Sequence, residues 1–168
     1  RLKVSVIIPV YNAALFVTEA VESALAQVET GQVILVEDGS KDCSFAVCQE
    51  LAGRHDRVEL LSHPGGVNQG VAASRNLGIR SACCEYISFL DADDYYLPGR
   101  FRVARQVFGS DPSVDGVYDA IGTIYGHDQV AAWYRANRYP DLITLAERVD
   151  PSHLFETLIA GDRGFFCT

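Results

Sequence analysis

Residues Val4–Val10 run as Val-Ser-Val-Ile-Ile-Pro-Val, a nearly unbroken β-branched stretch of the kind that fills a strand buried on both faces. Such a strand predicts a parallel central sheet. Past Tyr11 and Asn12 the period changes. Val17, Val21, Ala24 and Val28 recur at helical spacing while Glu19, Glu22 and Gln27 take the other side, which predicts an amphipathic helix. A second buried strand is expected over residues 32–36, a loop over 37–40, and a helix over 45–51 capped by Ser40 or Asp42. The alternation repeats with a strand over 58–61, a glycine-rich loop over 64–70, a helix over 71–82 and a strand over 86–90. Pro98 suits the first turn of another helix, with Phe101, Ala104 and Phe108 on one face, and Asp111-Pro112 marks a turn before a strand over 115–121.

Alternating units of this kind specify an α/β sandwich with a mostly parallel sheet, because each crossover helix must cover a sheet face. Between residues 122 and 149 the periodicity gives way to aromatic and basic residues, among them Tyr125, His127, Trp133, Tyr134, Arg135, Arg138 and Tyr139. That stretch is either a surface excursion over a site or a packed irregular loop. Asp150-Pro151 then marks a helix start, with Leu154 and Leu158 four apart.

At 168 residues and 48% apolar content, the chain is long enough for one sizeable core and fits a single domain, 1–168. No stretch approaches the roughly 18 to 20 apolar residues of a membrane span, and the amino terminus has no signal-peptide layout, so this part reads as soluble. The absence of methionine, the start at Arg1 and the strand-like run over 164–168 lead us to expect a piece of a longer chain, truncated at the carboxyl end. The cysteines, Cys43, Cys48, Cys83, Cys84 and Cys167, lack the C-x-x-C spacing of a zinc or redox site. Most are expected to be buried thiols in a reducing, cytoplasmic compartment. A net charge of -8 argues against a nucleic-acid surface and raises the question of how an anionic substrate would be held.

Position answers part of that question. In a parallel sheet the carboxyl ends of the strands share one rim, where ligands bind. Tyr11 and Asn12 follow the first expected strand, Glu37 and Asp38 the second, Asn68 and Arg75 lie after the third, and Asp91, Asp93 and Asp94 follow the fourth. The three late carboxylates would repel one another in a cleft unless a cation or shared protons relieved them. Hard ions such as Mg2+ or Mn2+ take oxygen ligands, one or two from protein with phosphates and water completing the shell, so an anionic phosphate donor could bind through the metal. Taken alone, residues 91–94 also fit a polar turn, and residues 64–70 an ordinary flexible turn.

The order of these segments resembles glycosyltransferase family 2 of the GT-A fold, a Rossmann-like sandwich. The first strand running into Pro9, Tyr11 and Asn12 is similar to that family's nucleotide-binding turn, and Val36-Glu37-Asp38-Gly39-Ser40 to its acidic second turn. Asn68-Gln69-Gly70-Val71-Ala72-Ala73-Ser74-Arg75-Asn76-Leu77-Gly78 resembles its third-strand loop and helix motif, and Phe89-Leu90-Asp91-Ala92-Asp93-Asp94 its Asp-x-Asp metal motif. The likeness covers about the first hundred residues. No G-x-G-x-x-G follows the first strand, which sets aside a dinucleotide-binding enzyme. A phosphorylated-aspartate domain fits less well, because Glu37-Asp38 continues into Gly39-Ser40 as in the transferase family.

The resemblance implies a nucleotide-sugar donor, with UDP expected, in a pocket made by Pro9, Tyr11, Asn12, Asp38, Asn68, Arg75, Asp91 and Asp93. Pro9 and Tyr11 would line the base pocket, with core packing as the alternative for Tyr11. Asp38 would accept a hydrogen bond from a pyrimidine, and Arg75 would hold the base or diphosphate, with a surface salt bridge as its alternative. Asp91 would approach the ribose or sugar side, and Asp93, with Asp91, would hold Mn2+ or Mg2+. The family inverts the anomeric centre by direct displacement, for which a carboxylate base takes the acceptor's proton. Glu156 and Asp162 are late candidates but sit in no expected acidic motif, so the base is expected beyond Thr168. Residues 1–121 are then the nucleotide-sugar-binding part and 122–168 the start of an acceptor-side region. The acceptor would be a saccharide or lipid-linked, in polysaccharide synthesis, and the parent protein would be cytoplasmic or peripheral to the inner face of a membrane. A non-catalytic nucleotide-sugar-binding module is the alternative.

Overall fold

The computed structural model of the protein describes residues 2–117, 121–125, 128–136, 142–143, 150 and 153. The chain divides into two units, Arg1–Ser113 and Val114–Thr168. In the first, the strands β1 (Val4–Val10), β2 (Thr30–Glu37), β3 (Val58–Ser62) and β4 (Tyr86–Phe89) form an all-parallel sheet in the order β3-β2-β1-β4. As its composition predicts, β1 is sealed on both faces: Val6, Ile7, Ile8 and Val10 are 0% exposed. Burying each such side chain contributes roughly 1.5–3 kcal/mol. Pro9 is tolerated in this central strand for a positional reason. Ile7 faces β4, its carbonyl accepting the Leu90 N–H at 3.1 Å, and pairing with β4 stops at Ile7–Phe89. Pro9, two residues on and facing the same side, has no strand opposite it and so no ladder bond to lose.

The helices α1 (Val17–Leu25), α2 (Ser44–Arg54) and α3 (Val71–Ser81) connect the strands. The steps β1 to β2 to β3 move one way across the sheet and the step to β4 reverses, so right-handed crossovers place α1 and α2 on one face and α3 on the other. Gly78 lets α3 seat directly on the sheet: a Cβ there would lie 2.4 Å from Ile7 Cγ2. Beneath α3 the core comprises Ile7, Ile34 and Val36, with Leu61, Leu77 and Ala82 packed around them. All strand carboxyl ends therefore point to one rim, and α3 begins beside it.

Several expectations need correction. α1 stops at Leu25, and Val28, placed on its apolar stripe by periodicity, is 62% exposed beyond the helix end. Pro98 does not open a helix; α4 (Arg102–Ser110) begins after a turn in which Gly99 takes φ +77°, a left-handed conformation that interrupts helical geometry. Most described cysteines are not buried: only Cys48 is, inside α2, whereas Cys43 precedes that helix, and Cys83 and Cys84 lie in the link to β4 where nothing covers both. Cys167 lies outside the described residues.

In the second unit, residues 115–117 are not strand; Asp115 and Gly116 are poor strand formers. Instead Ile121–Gly122 (β5) pairs antiparallel with Leu142–Ile143 (β6). The stretch expected to be irregular contains a helix, α5 (Asp128–Ala136), opened by an aspartate that suits a helix N-terminus and rich in alanine. The His153 N–H donates to the Asp150 carbonyl at 2.9 Å; Leu154, Leu158, Glu156 and Asp162 lie outside the described residues. Among the described residues no helix is long and apolar enough to cross a membrane.

Candidate functional site

The rim is built from loops that hold one another. Asn12, at φ +52° in the left-handed region that asparagine tolerates, turns the chain after β1. Its N–H donates to Ser40 Oγ at 3.0 Å, and its Oδ1 accepts the Lys41 N–H at 2.8 Å, so it ties the β1 turn to the β2 turn. Ala13 and Ala14 continue the tie, donating to Ser44 Oγ and Asp42 Oδ2. Neither expected cap is the N-cap of α2, a position held by Cys43 with no side-chain bond; Asp42, one residue earlier, accepts the Ser44 N–H at 2.9 Å, while Ser40 is committed to Asn12. The Ser44 hydroxyl, and then the Ser44 N–H, hold the Asp42 carboxyl below its ordinary value. Tyr11 stands clear of these contacts and is 46% exposed, so it is no core residue.

Glu37 and Asp38 are both buried and both bonded to backbone. Glu37 accepts the N–H groups of Gly39 and Ser40, folding its own turn. Asp38 reaches across to the loop before α3: Oδ1 accepts the Gln69 N–H at 2.7 Å and Oδ2 the Gly70 N–H at 2.9 Å. Its own carbonyl accepts from Asn68 Nδ2 at 2.9 Å. The two loops touch so closely that a Cβ on Gly39 would lie 2.6 Å from the Asn68 nitrogen, and φ there is +72°. Glycine is required on both counts. Behind Asp38 lies His63, whose Nε2 is 3.6 Å from Asp38 Oδ1 and 3.0 Å from Ser74 Oγ, all three residues being buried. Sequence reasoning missed His63 and Ser74. The signal available was a histidine directly after the third strand, which does not reveal a partner on the following helix.

On the β4 side, Arg75 Nη2 donates to Asp91 Oδ1 at 2.7 Å, and the guanidinium sits over the Phe89 ring, 5.6 Å from its centroid. With its side chain only 14% exposed, this is more than a surface pair; Arg75 Nε is buried with no bonding partner among the described residues. Ala92 turns inward and Asp93 outward, exposed and with no hydrogen bond among the described residues. Burial, followed by the charges of Asp93 and Asp91, raises the Asp94 carboxyl above its ordinary value. Thus the expected residues fall at one rim: Pro9 in the last residues of β1, Tyr11 and Asn12 just after it, Asp38 after β2, Asn68 and Arg75 after β3, Asp91 and Asp93 after β4. Asn12, Asp38 and Asn68 are engaged in joining loops, while Tyr11 and Asp93 face outward.

A family model described as glycosyl transferase family 2 matches residues 5–165. The chain belongs to glycosyl transferase family 2. Among family relatives, an uncharacterized glycosyltransferase of Haemophilus influenzae is 40% identical over 93 residues, which is 55% of this chain and 36% of that protein. The minor teichoic acid biosynthesis protein GgaB of Bacillus subtilis is 31% identical over 153 residues, 89% of this chain but 17% of that protein. A chondroitin synthase of Pasteurella multocida is 35% identical over 116 residues, 68% of this chain and 12% of its own length. The chain therefore spans little more than a third, at most, of these relatives. In structure it is similar to S. aureus TarS 1-349 in complex with UDP-GlcNAc, with a TM-score of 0.57 and 25% identity over 65% of this chain and 32% of that one. It is likewise similar to a mannosyltransferase of Pyrobaculum calidifontis in complex with GDP-Man and Mn2+, with a TM-score of 0.57 and 26% identity over 74% of this chain and 36% of that one. The fold is GT-A.

Proposed function

We propose that this family 2 chain forms the donor half of an inverting, metal-dependent glycosyltransferase of hexosyl type whose donor is a nucleotide-diphosphate sugar, with uridine as the base. The observation that carries the reading is the placement of Asp38, the Arg75–Asp91 pair and outward-facing Asp93 on the carboxyl-end rim of one parallel sheet, Asp38 after β2 and the aspartates after β4, with β1 between them. The TarS complex with UDP-GlcNAc supports uridine, and the mannosyltransferase complex supports a divalent ion.

The residues present fit such an ion. Asp93 is exposed and unbonded, Asp91 gives Arg75 only one oxygen, and the described residues contain no cluster of three metal-ligating side chains. An oxygen-only set of one or two carboxylates suits Mn2+ or Mg2+ whose shell is completed by donor phosphates and water. A cation held there would supply Lewis-acid stabilisation of the charge on the departing diphosphate.

The chain's own groups do the rest of the donor's binding. Tyr11 packs on the base beside Pro9; Asp38, with Asn12 and Asn68, fixes the loops around the base and accepts from it. Arg75 adds a fixed cation for the base or diphosphate, and Asp91 turns toward the ribose or sugar. Residues 1–121 bind the donor and 122–168 begin the acceptor side. The acceptor is a saccharide or lipid-linked saccharide in polysaccharide synthesis, and the carboxylate base lies beyond Thr168. The free thiols suit a reducing, cytoplasmic location, with the full-length protein peripheral to the inner face of the membrane.

Calorimetric titration of UDP with and without Mn2+ tests the reading. Asp93→Ala should abolish the Mn2+-dependent part of binding and leave the melting temperature unchanged, since Asp93 holds nothing in the fold. Binding equal to wild type in Mn2+ would overturn its role.

A further inference from the structure

Among the described residues Asp93 has no hydrogen-bond partner, so its place over the rim is set by the ends of the arch that carries it. One end is Leu90, buried, its N–H donating to the Ile7 carbonyl at 3.1 Å. The arch then turns, the Asp94 N–H donating to the Asp91 carbonyl at 3.0 Å. The other end is Tyr96, which is buried and folds back on β4. Its hydroxyl donates to the Phe89 carbonyl at 3.0 Å and lies 2.7 Å from Ser88 Oγ, while its N–H donates to Ser23 Oγ on α1 at 2.9 Å. The ring meets Phe101 edge-on at 5.5 Å, with the Arg100 guanidinium 5.4 Å from its centroid. Below it, Gln27 Oε1 accepts the N–H groups of Gly99 and Arg100, and Gln27 Nε2 donates to the Leu97 carbonyl. The hydroxyl bond lands on Phe89, the residue whose ring lies under Arg75, the partner of Asp91.

We propose that the Tyr96 hydroxyl is a positioning group for Asp91 and Asp93: by closing the arch onto β4 it presents the two carboxylates for metal-assisted donor binding. This rests on the metal reading of those carboxylates above. Tyr96 touches neither donor nor metal and acts through residues 91–95. Its removal therefore reduces the gain in UDP affinity that Mn2+ confers, beyond any change in metal-free binding.

Tyr96→Phe removes one oxygen and keeps the ring. UDP is titrated calorimetrically into wild type, Tyr96→Phe and a stability control, Cys48→Ala, each with Mn2+ and with chelator. Wild type and Cys48→Ala should show the full Mn2+ enhancement, and Tyr96→Phe one reduced about three- to tenfold, the size expected for one buried hydrogen bond. Full enhancement in folded Tyr96→Phe, or an equal loss in Cys48→Ala, would overturn the proposal. If Tyr96→Phe fails to fold, Ser88→Ala and Ser23→Ala, which remove other ties of the same arch, are read instead: reduced enhancement supports it and full enhancement overturns it. No enhancement in wild type would sink the metal reading itself, whereas enhancement in wild type kept whole by the variants sinks only the role of Tyr96.

Discussion

Replacing Asp38 by asparagine separates a carboxylate that merely faces a nucleobase from one that builds the loop around it. In the structure Asp38 is 3% exposed and accepts two backbone N–H groups, at 2.7 and 2.9 Å, from the segment that opens α3. Asparagine keeps one acceptor oxygen but turns an NH2 group toward the other N–H, and it removes the charge from both bonds. Hydrogen bonds to charged groups are worth about 1.5–3 kcal/mol each, so losing one and weakening the other should destabilise the protein by roughly 2–4 kcal/mol. Domains are stable by only about 5–15 kcal/mol, so this is a large fraction. At about 2–4 °C per kcal/mol, the melting temperature should fall by roughly 5–15 °C in a thermal melt followed by circular dichroism. A urea titration should show a lower midpoint with an unchanged slope. The amides of Gln69 and Gly70 should lose hydrogen-exchange protection in parallel. A drop of less than about 2 °C with protection intact would refute the reasoning and leave Asp38 as a ligand-facing residue alone.

Gly78→Ala puts a Cβ 2.4 Å from Ile7 Cγ2, against a fully buried strand. Overpacking should cost about 1–3 kcal/mol and outweigh the roughly 1 kcal/mol that alanine gains in helix propensity; a stabilised variant in urea unfolding would contradict this. Asp94→Asn tests the acidic cluster through pH. The folded carboxyl lies above its ordinary 3.8, first through burial and then through Asp93 and Asp91, so the folded state binds more protons than the unfolded one over that interval. Stability contributed by the protonated form is present below the unfolded value and is lost as pH rises through the two values. Asp94→Asn should therefore melt higher than wild type near neutral pH and equal to it below about pH 3; a pH-independent difference would count against the cluster.

Much of the frame was legible because it is local. The β-branched run of β1, the helical spacing of α1 as far as Ala24, and the placement of Asp91 and Asp93 just past an apolar strand are properties of short windows. What escaped depends on partners far along the chain. Asp38 finds Gly70 across 32 positions and Gln27 finds Arg100 across 73, and neither pairing leaves a trace in periodicity. His63 and Ser74 are closer in sequence, yet their bond depends on α3 packing back over β1 and β2. Val28 shows the opposite failure: helical spacing continued on paper after the helix had ended. Alanine-rich α5 was hidden by the aromatic and basic residues it carries, Trp133, Tyr134 and Arg135.

The central claim is that the donor occupies the rim at the carboxyl ends of β1 to β4. Amide chemical-shift mapping of the 15N-labelled protein titrated with UDP, with Mg2+ as the diamagnetic ion, tests it most directly. The account predicts the largest changes at Tyr11, Gly39, Asn68, Gly70, Asp91 and Asp93. Changes confined to the opposite edge of the sheet, around Lys3, Gly31 and Cys83, or the absence of any change at saturating nucleotide, would contradict it.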